Sequence, residues 1–446
     1  MFSYFCSREI KRESTLLLIQ WLFNEFFFKV SFHEQKKDLQ KTTAEHFSGI
    51  PQTTLMLKQI NRIPLICLFW FTIDMEDNRK MKLLWKDHFV DGELIVQNGI
   101  ISGMKSCDNH SDLYCLPGFF DVHTHGANGL DFNSLSCSSD VEQILSFYAS
   151  QGVTSVFPTV MTAPLPKMKQ QLSRISEALF THRMIKGIHI EGPFISHEYR
   201  GAHREEDILS FSKETFLNLM KFANNKIKYI TIAPEALTDN NDIIFLKNLG
   251  LVVSLGHSGA SDAKTTLCIQ KGATSFTHTF NAMAPFTHHQ LTISFSALSI
   301  SKIYNEVIMD LHHVDPKIIL FLLKNKGEDY LVGITDSLAC TGLEDGNYSL
   351  GGESIMKKNG ECFITGTTTR AGSCISMLDG LKNYMKITGY PLERAILPFT
   401  MNPAKSTNLS DRIGTLEIGK EADYFIMDEQ FNVLKTFIHG EQVYTR

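Results

Sequence analysis

The chain lacks the cysteine pattern of a disulfide-stabilised protein. Its 9 cysteines form an odd number, none of them stands in a CxxC pair, and their spacing follows no regular period. Disulfide frameworks of small secreted proteins use even sets of cysteines at regular spacings. The sequence therefore argues against a disulfide framework and predicts a protein of the reducing cytoplasm.

Long apolar runs and runs of one charge are also missing. The run at 16–30 is interrupted by Asn24 and Glu25, and the run at 63–73 is short, whereas a membrane helix needs about 20 apolar residues. Lys and Arg number 43 against 48 Asp and Glu, so the formal net charge is only −5. We therefore expect no membrane span and no nucleic-acid partner, and a small molecule is the expected ligand.

The length and the change in composition along the chain suggest two unequal domains. A chain of 446 residues exceeds the size at which one hydrophobic core usually stops growing. Residues 1–80 differ in composition and are treated as an extension of uncertain status. Short alternating apolar runs at 81–116 and 403–446, the first with an Asn-Gly hairpin signal, predict one small β-sandwich built from both ends. Residues 117–402 lie between them.

Eight short apolar runs alternate with amphipathic helical stretches in this middle region. A repeated strand–helix unit of that number predicts an α/β fold, namely a (β/α)8 TIM barrel, whose chemistry lies at the carboxyl ends of its strands. The runs are 116–123, 153–160, 186–192, 227–235, 251–257, 274–280, 306–314 and 330–336.

Side chains that bind metals or transfer protons stand at the ends of six of these runs. Each has a structural alternative, since a loop histidine can satisfy a hydrogen bond and Asp336 can cap a helix. Because the same end of so many strands carries such residues, we expect a metal site there. The residues are His123 and His125 after the first run, Glu191 after the third, His257 after the fifth, His278 after the sixth, His313 after the seventh and Asp336 after the eighth.

This set of residues predicts hydrolysis assisted by a divalent ion. Imidazoles and a carboxylate bind zinc and similar ions, and a catalytic ion lowers the pKa of water. Asp336 can then accept the proton of the water molecule and transfer it to a leaving nitrogen. Neighbouring strand residues point to opposite faces, so only one of His312 and His313 is expected to face the site, and His189 is expected one layer deeper.

Several motifs together carry a resemblance to a known family. They are PGFFDVHTHG, GIHIEGPFISHEYRGAH, SLGHSGAS, FTHTFNAM, DLHHV, GITDS and RAGSCISM, in this order. From about residue 83 to residue 446 the chain resembles the N-acetylglucosamine-6-phosphate deacetylases of the amidohydrolase superfamily. The resemblance implies a (β/α)8 barrel with a β-sandwich. It also implies hydrolysis of N-acetyl-D-glucosamine 6-phosphate to D-glucosamine 6-phosphate and acetate.

The resemblance also implies how metal is held. Glu191, His257 and His278 match the ligands of the principal ion, while His123 and His125 match an HxH element that holds a second ion in some members. One or two ions per chain are therefore expected. Zinc is the expected metal, although Fe, Mn and Co suit the same ligand types.

For the substrate, the resemblance assigns His203 and His313 to the sugar and the backbone at Asn281 and Ala282 to the phosphate. The FNAM turn is expected to open a helix, where free backbone N–H groups suit an anion. Asp336 matches the catalytic acid and base. The family also places an arginine after FNAM that reaches the substrate of a neighbouring subunit, which implies a homodimer.

The chain departs from the family around the phosphate. His289 occupies the position of that arginine, Leu311 replaces an expected glycine, and QLTISF replaces a run rich in Pro and Gly. Two outcomes remain open. Either the phosphate is still required and is held by the FNAM backbone with His203 or a cation such as Arg370, or the preference for phosphate is weakened.

Two alternatives of function are also open. One is another metal-dependent amidohydrolase, such as an aminoacylase or a cyclic-amide hydrolase. Many of those bridge two ions with a carbamylated lysine at the end of the fourth strand, but Lys226 and Lys228 stand at its start. The other is a barrel that holds metal without activity.

Overall fold

The computed structural model describes residues 80–446 except 109, 110 and 240. The predicted extension at 1–80 lies, apart from Lys80, outside the described residues. The strands are β1 (Met81–Trp85), β2 (His88–Gln97), β3 (Ile100–Ser106), β4 (Tyr114–Pro117), β5 (Phe119–Thr124), β6 (Gly126–Ala127), β7 (Leu130–Asp131), β8 (Val153–Met161), β9 (Ile188–Glu191), β10 (Ile227–Ile232), β11 (Val252–Leu255), β12 (Ser275–Phe276), β13 (Tyr304–Ile308), β14 (Leu331–Ile334), β15 (Gly346–Leu350), β16 (Glu353–Lys358), β17 (Glu361–Ile364), β18 (Tyr424–Met427), β19 (Val433–Ile438) and β20 (Glu441–Thr445).

The helices of the described region are mostly short and follow the strands of the middle region. They are α1 (Ser138–Ser150), α2 (Leu165–Leu179), α3 (Lys213–Phe222), α4 (Asp242–Asn248), α5 (Asp262–Lys271), α6 (Ile293–Ser299), α7 (Pro316–Lys326), α8 (Met377–Thr388), α9 (Leu392–Ala395) and α10 (Met401–Ser406), and single 3-10 turns occur at Glu205–Asp207, Pro234–Ala236, Glu328–Tyr330 and Leu397–Phe399.

Capping residues fix where several of these helices begin and end. The side chains of Ser212 and Ser261 accept hydrogen bonds from backbone N–H groups of the first turn of α3 and α5. Ser376 and Asp379 form a capping box at the start of α8, and Gly389 ends that helix in the left-handed conformation. Each cap satisfies backbone groups that the helix itself leaves unpaired.

Eight parallel strands form the barrel in the order β5-β8-β9-β10-β11-β12-β13-β14. Backbone hydrogen bonds from the Asp336 N–H to the His123 carbonyl and from the His125 N–H to the Ser337 carbonyl, both 2.9 Å, join the first strand to the segment after the last. Each predicted run overlaps one of these strands. The predicted (β/α)8 fold is confirmed.

The first run, predicted at 116–123, is divided between two sheets. Leu116 belongs to β4, which pairs with β18, and the barrel strand begins at Phe119. Gly118 joins the two, and a Cβ atom there would lie 2.0 Å from Thr154 Oγ1. Only glycine allows the chain to pass so close to β8, which the apolar pattern alone does not reveal.

A second sheet combines strands from both ends of the described region in the order β20-β19-β18-β4-β1-β2-β3. It has its own apolar cluster, which includes Leu83, Ile101, Leu416 and Ile426. Because β1 to β4 and β18 to β20 share one sheet, residues on either side of the barrel in sequence stabilise each other.

Two apolar layers support the barrel. Phe157, Tyr229 and Val332, from three strands that are not neighbours, belong to one buried cluster and therefore meet inside the barrel. Residues such as Leu172 and Leu322 pack the helices against the outside of the strands.

Among the described residues, no helix is both long and apolar enough to cross a membrane. In the part of the chain that the structure describes, the free cysteines include Cys115, Cys137, Cys268, Cys340, Cys362 and Cys374.

A three-stranded antiparallel sheet, β15-β16-β17, is inserted after the last barrel strand. Its apolar side packs with Met161 of β8 and with Leu338 of the loop that follows Asp336. The insertion therefore lies beside the carboxyl ends of the barrel strands.

A buried ion pair network connects the barrel to the second sheet. Lys186, just before β9, lies 2.9 Å from both Glu421 and Asp423, which precede β18. All three side chains are at most 13% exposed. Burial raises the pKa of Glu421, but Lys186 and Arg412 outweigh this effect and lower it.

We expect Lys186→Met to lower the free energy of unfolding by about 3 kcal/mol, because two buried carboxylates lose their shared cation. The measurement is urea unfolding of the purified variant. Lys405→Met is the control, since Lys405 pairs with the exposed Asp329 and such pairs contribute less than about 1 kcal/mol. Equal losses in the two variants would contradict a stabilising role for the buried network.

Candidate metal centre and substrate pocket

The predicted site residues lie together at the carboxyl ends of the barrel strands. His123 is the penultimate residue of β5, and Glu191 is the last residue of β9. His257, His278 and Asp336 each follow the last residue of their strand, β11, β12 or β14, by two positions. The strand ends of a closed barrel converge, so residues far apart in sequence meet here.

Three of these residues have left-handed backbone conformations. The φ angles are 46° at His257, 26° at His278 and 49° at Asp336. Such angles cost non-glycine residues about 1 to 3 kcal/mol and persist where the surrounding structure fixes them. At Asp336 the surroundings include the bond to His123 and a 2.8 Å bond from the Ser373 N–H to the Asp336 carbonyl. The sharp turns aim these side chains into the barrel mouth.

The first cluster is formed by Glu191, His257 and His278. Glu191 Oε1 lies 3.0 Å from Nε2 of each histidine, and the two Nε2 atoms are 3.0 Å apart. All three residues are buried. Three ligand atoms of the types that zinc prefers therefore converge on one small volume.

The second cluster is formed by His123, His125 and Asp336. Asp336 Oδ1 lies 3.1 Å from His125 Nε2 and 3.6 Å from His123 Nε2. Glu191 connects the clusters, because its oxygens lie 3.4 Å from His123 Nε2 and 3.3 Å from His125 Nε2. Each cluster by itself could hold a metal ion.

Hydrogen bonds orient the imidazoles in the way a cation requires. His257 Nδ1 donates to the Tyr199 carbonyl at 2.9 Å, which leaves its Nε2 lone pair directed at Glu191. His123 Nδ1 lies 3.0 Å from Glu306 Oε2, and its buried Nε2 has no hydrogen-bond partner among the described residues. Metal-binding histidines typically use one nitrogen for the ion and the other for such a bond. The residues therefore fit a divalent cation.

The electrostatics of the clusters also favour positive charge. Burial lowers the pKa of His123, but Glu191 and Asp336 outweigh it and raise the pKa well above the usual value. The same groups raise the pKa of His125 to about 9 against burial. Burial raises the pKa of Glu191, but His123 and other histidines hold it well below the usual range. Glu191 is therefore a buried anion.

His189 lies below this cluster and belongs to its support. Its ring nitrogens lie 3.2 Å from Thr159 Oγ1 and 2.8 Å from Thr231 Oγ1, and its ring packs 4.7 Å from the His123 ring. Burial holds its pKa well below the usual value, so it is neutral. It does not reach Glu191 through a hydrogen bond in the described structure, in keeping with a deeper layer.

Two supporting residues were missed by the sequence analysis. Glu306 is fully buried, and besides His123 it accepts a short hydrogen bond from the Tyr229 hydroxyl. Asp121 accepts a 2.5 Å bond from the Thr335 hydroxyl, which helps to close the barrel between β5 and the end of β14. A carboxylate inside an apolar strand was the available signal in both cases.

An open cavity of about 310 Å³ lies above the clusters. Its volume is within the range of small-molecule sites, roughly 300 to 1,000 Å³. Four of the five predicted substrate residues line it, while His289 is exposed on a loop and, in the described region, is not part of this lining. The residues of the wall include His125, Glu191, His203, His257, His278, Asn281, Ala282, His313, Asp336, Leu338, and Thr368 to Gly372.

The FNAM turn does not open a helix, which corrects the sequence-based expectation. Phe280 and Ala282 have φ angles of 77° and 49°, and the next helix, α6, begins at Ile293. The turn is fixed instead by two 3.0 Å bonds, from the Ser258 N–H to the Ala282 carbonyl and from the Ala284 N–H to the Ser258 carbonyl. The backbone at this turn still lines the cavity.

The histidine pair after β13 divides between the cavity and solvent. The His313 side chain lies in the cavity wall and is 7% exposed, and its Nδ1 lies 2.6 Å from Asp310 Oδ2, whereas the His312 side chain is 45% exposed. Leu311, which replaces the expected glycine, still has a φ of 63°. The loop therefore keeps a conformation that suits glycine, at a cost typical of a strained residue.

Comparisons with known proteins agree with this site. The model of the amidohydrolase family matches residues 114–443. The chain is 34% identical over 339 residues to the N-acetylglucosamine-6-phosphate deacetylase of Bos taurus, covering 74% of this chain and 83% of that protein. It is 32% identical over 379 residues to the enzyme of the same name from Homo sapiens, covering 81% and 92%.

The chain is also similar to solved structures of N-acetylglucosamine-6-phosphate deacetylases. A mutant N-acetyl-D-glucosamine-6-phosphate deacetylase from Mycobacterium smegmatis, in complex with N-acetyl-D-glucosamine 6-phosphate, superposes with a TM-score of 0.77 at 27% identity. The match covers 82% of this chain and 98% of that one. The N-acetylglucosamine-6-phosphate deacetylase of Pasteurella multocida has the same TM-score and coverage at 29% identity.

The geometry of the first cluster predicts that Glu191→Gln loses most bound metal, because a charged ligand is removed from a cation site. The measurement is elemental analysis of the purified protein, with at least one ion per chain expected before the substitution. Glu198→Gln is the matched control, since it makes the same change on the exposed loop after β9.

Full metal occupancy in Glu191→Gln would contradict the assignment of the first cluster. Occupancy above one ion per chain in the unaltered protein at high metal concentration would indicate that the second cluster also binds.

Proposed function

The chain belongs to the amidohydrolase family, and on that premise we propose that it hydrolyses the N-acetyl group of N-acetyl-D-glucosamine 6-phosphate. The products are D-glucosamine 6-phosphate and acetate. The observation that carries the proposal is the convergence of Glu191, His257 and His278 below a cavity that the FNAM backbone also lines. Relatives that bear this name align over most of the chain.

Glu191, His257 and His278 would hold the principal ion, for which we propose zinc. His123 and His125 would hold a second ion when metal is abundant. A bound ion of this kind polarises a carbonyl group and lowers the pKa of water. Glu306 keeps His123 in the required tautomer, since it binds the Nδ1 atom at 3.0 Å.

Asp336 is the proposed acid and base. Its carboxylate lines the cavity directly above His125, where Oδ1 lies 3.1 Å from Nε2. A group in this position can accept a proton from attacking water and deliver it to the amide nitrogen as acetate leaves. The backbone bonds to His123 and Ser373 fix the main chain at Asp336, from which the carboxylate projects.

The sugar would lie across the cavity between two histidines. His203 is buried in its wall, the His313 side chain there is 7% exposed, and the Asp310 carboxylate fixes the His313 ring. Asn281 and Ala282 would receive the phosphate through backbone N–H groups. The Ala282 N–H supports this role, because no acceptor in the described region bonds it.

The rival amidohydrolase with a carbamylated lysine is not supported. Lys226 precedes β10, and Lys228, near the start of that strand, is exposed. The end of the strand continues into Ala233 and Pro234, which cannot form a carbamate.

We also propose a homodimer in the cytoplasm. Phe286 and Leu291 are 42% and 41% exposed and flank His289 on the loop after the FNAM turn, so they offer an apolar contact beside the cavity. The free cysteines of the described region suit a reducing compartment.

Asp336→Asn is expected to slow turnover by roughly 100-fold or more, since a positioned proton-transfer group is lost. The ion held by Glu191, His257 and His278 and the thermal unfolding should stay close to those of the unaltered protein. Acetate release under saturating substrate measures the effect, and Asp329→Asn, an exposed carboxylate, is the control. Near-normal turnover would move the acid and base role to another residue.

The phosphate is expected to raise kcat/KM at least tenfold over unphosphorylated N-acetylglucosamine, because charge-assisted hydrogen bonds contribute about 1.5 to 3 kcal/mol each. Acetate release from the two sugars, with metal analysis of the same sample, tests this expectation. Equal kcat/KM values would leave an N-acetyl amino-sugar deacetylase without phosphate specificity. Bound metal without acetate release from either sugar would favour an inactive barrel.

A further inference from the structure

The cavity needs a positive charge to bind a phosphate monoester. Glu191 and Asp336 place two carboxylates in its wall, and a phosphate brings more negative charge. Among the described residues that line the cavity, Arg370 is the one arginine or lysine. Arginine is permanently charged and can bind phosphate through two parallel hydrogen bonds.

The inserted sheet holds Arg370 at the edge of the cavity. A 3.1 Å bond from the Ala371 N–H to the Cys362 carbonyl ties the segment to β17. The guanidinium lies 5.5 Å from the centre of the Phe363 ring, and its Nε donates to Glu361 Oε2 at 3.0 Å. The side chain is therefore oriented rather than free in solvent.

This edge of the cavity adjoins the loop that carries the proposed sugar residue His313. The other oxygen of Glu361 lies 3.9 Å from Nδ1 of His312, the neighbour of His313. The Arg370 and Glu361 pair is thus next to the loop that carries His313. Asn281 and Ala282 line the same cavity.

The guanidinium of Arg370 also has N–H groups that can donate to a further acceptor. Both of its bonds, from Nε and Nη2, go to the same oxygen of Glu361, and its Nη1 has no acceptor among the described residues. The Arg370 side chain is 40% exposed and the Glu361 side chain 23%. Arg370 can therefore donate to an anion without breaking its bond to Glu361.

We infer that Arg370, from the same chain, binds the phosphate of the substrate and determines the preference for phosphorylated sugars. The inference rests on the proposed deacetylase function and names a residue for its phosphate specificity. It replaces His289 in that role. His289 is exposed, its ring packs 3.8 Å from the ring of His288, and it is not part of the described cavity wall.

The test compares two sugars in matched arginine variants. In Arg370→Met, the ratio of kcat/KM for phosphorylated over unphosphorylated N-acetylglucosamine should fall roughly 10- to 100-fold, the effect of losing a charge-assisted hydrogen bond. The kcat/KM ratio of Arg370→Lys should lie between those of the unaltered enzyme and Arg370→Met, because lysine keeps the positive charge but lacks the planar guanidinium group. Calorimetric binding of glucosamine 6-phosphate should weaken in the same order.

Arg394→Met is the matched control. Arg394 also donates through Nε and Nη2 to one glutamate, Glu328, and is 46% exposed, but it is not part of the described cavity wall. In Arg394→Met, the kcat/KM ratio of phosphorylated over unphosphorylated N-acetylglucosamine should equal that of the unaltered enzyme. Equal metal content in all variants shows that the ion site is intact.

A ratio in Arg370→Met within twofold of the unaltered enzyme overturns the inference. So does a collapse of the ratio in His289→Ala that Arg370→Met does not share. If the unaltered protein releases acetate from neither sugar, the deacetylase proposal fails instead. Binding of glucosamine 6-phosphate compared with glucosamine then still tests Arg370.

Discussion

The charge of the buried Glu191 carboxylate determines how the side chains around it are arranged. A carboxylate that is 3% exposed is stable in a protein only when other groups compensate its charge. Here the compensation comes from five imidazoles that lie within 3.4 Å of its oxygens, on four different segments of the chain. They are His123, His125, His203, His257 and His278. A divalent cation completes this compensation more fully than histidine protons can, since it satisfies several lone pairs at once.

The barrel makes this concentration of polar groups possible. Its strands are largely buried, and the chain turns sharply at His257, His278 and Asp336 just after their strands end. Hydrogen bonds between the ends of β5 and β14 close the ring and fix Asp336 against His123. The same hydrogen bonds therefore close the barrel and position Asp336. The inserted sheet adds the part of the cavity wall that carries Arg370.

The strands and the polar cluster at their ends could be predicted from the sequence because both follow from short-range pattern. Apolar runs of strand length gave the eight strands, and the polar residues that end them gave Glu191, His257 and His278. Glu306 was not found, because it stood at the start of a predicted run and its partner His123 is 183 residues away. Such a contact depends on barrel closure, which no local pattern encodes.

The part of the cavity proposed to bind the phosphate was harder to predict, because it also depends on tertiary contacts. A motif placed His289 near the phosphate, but the conformation of its loop is set by tertiary contacts, and the FNAM turn forms no helix because Phe280 and Ala282 adopt left-handed angles. Arg370 was noted only as a nearby cation. Its place in the cavity depends on how β15 to β17 fold back over the barrel.

Anomalous X-ray scattering at the zinc absorption edge, from crystals of the chain grown with zinc, shows directly where the ion binds. We expect a zinc peak coordinated by Glu191, His257 and His278. Crystals in which zinc binds elsewhere, while these three side chains contact only one another, would contradict this expectation.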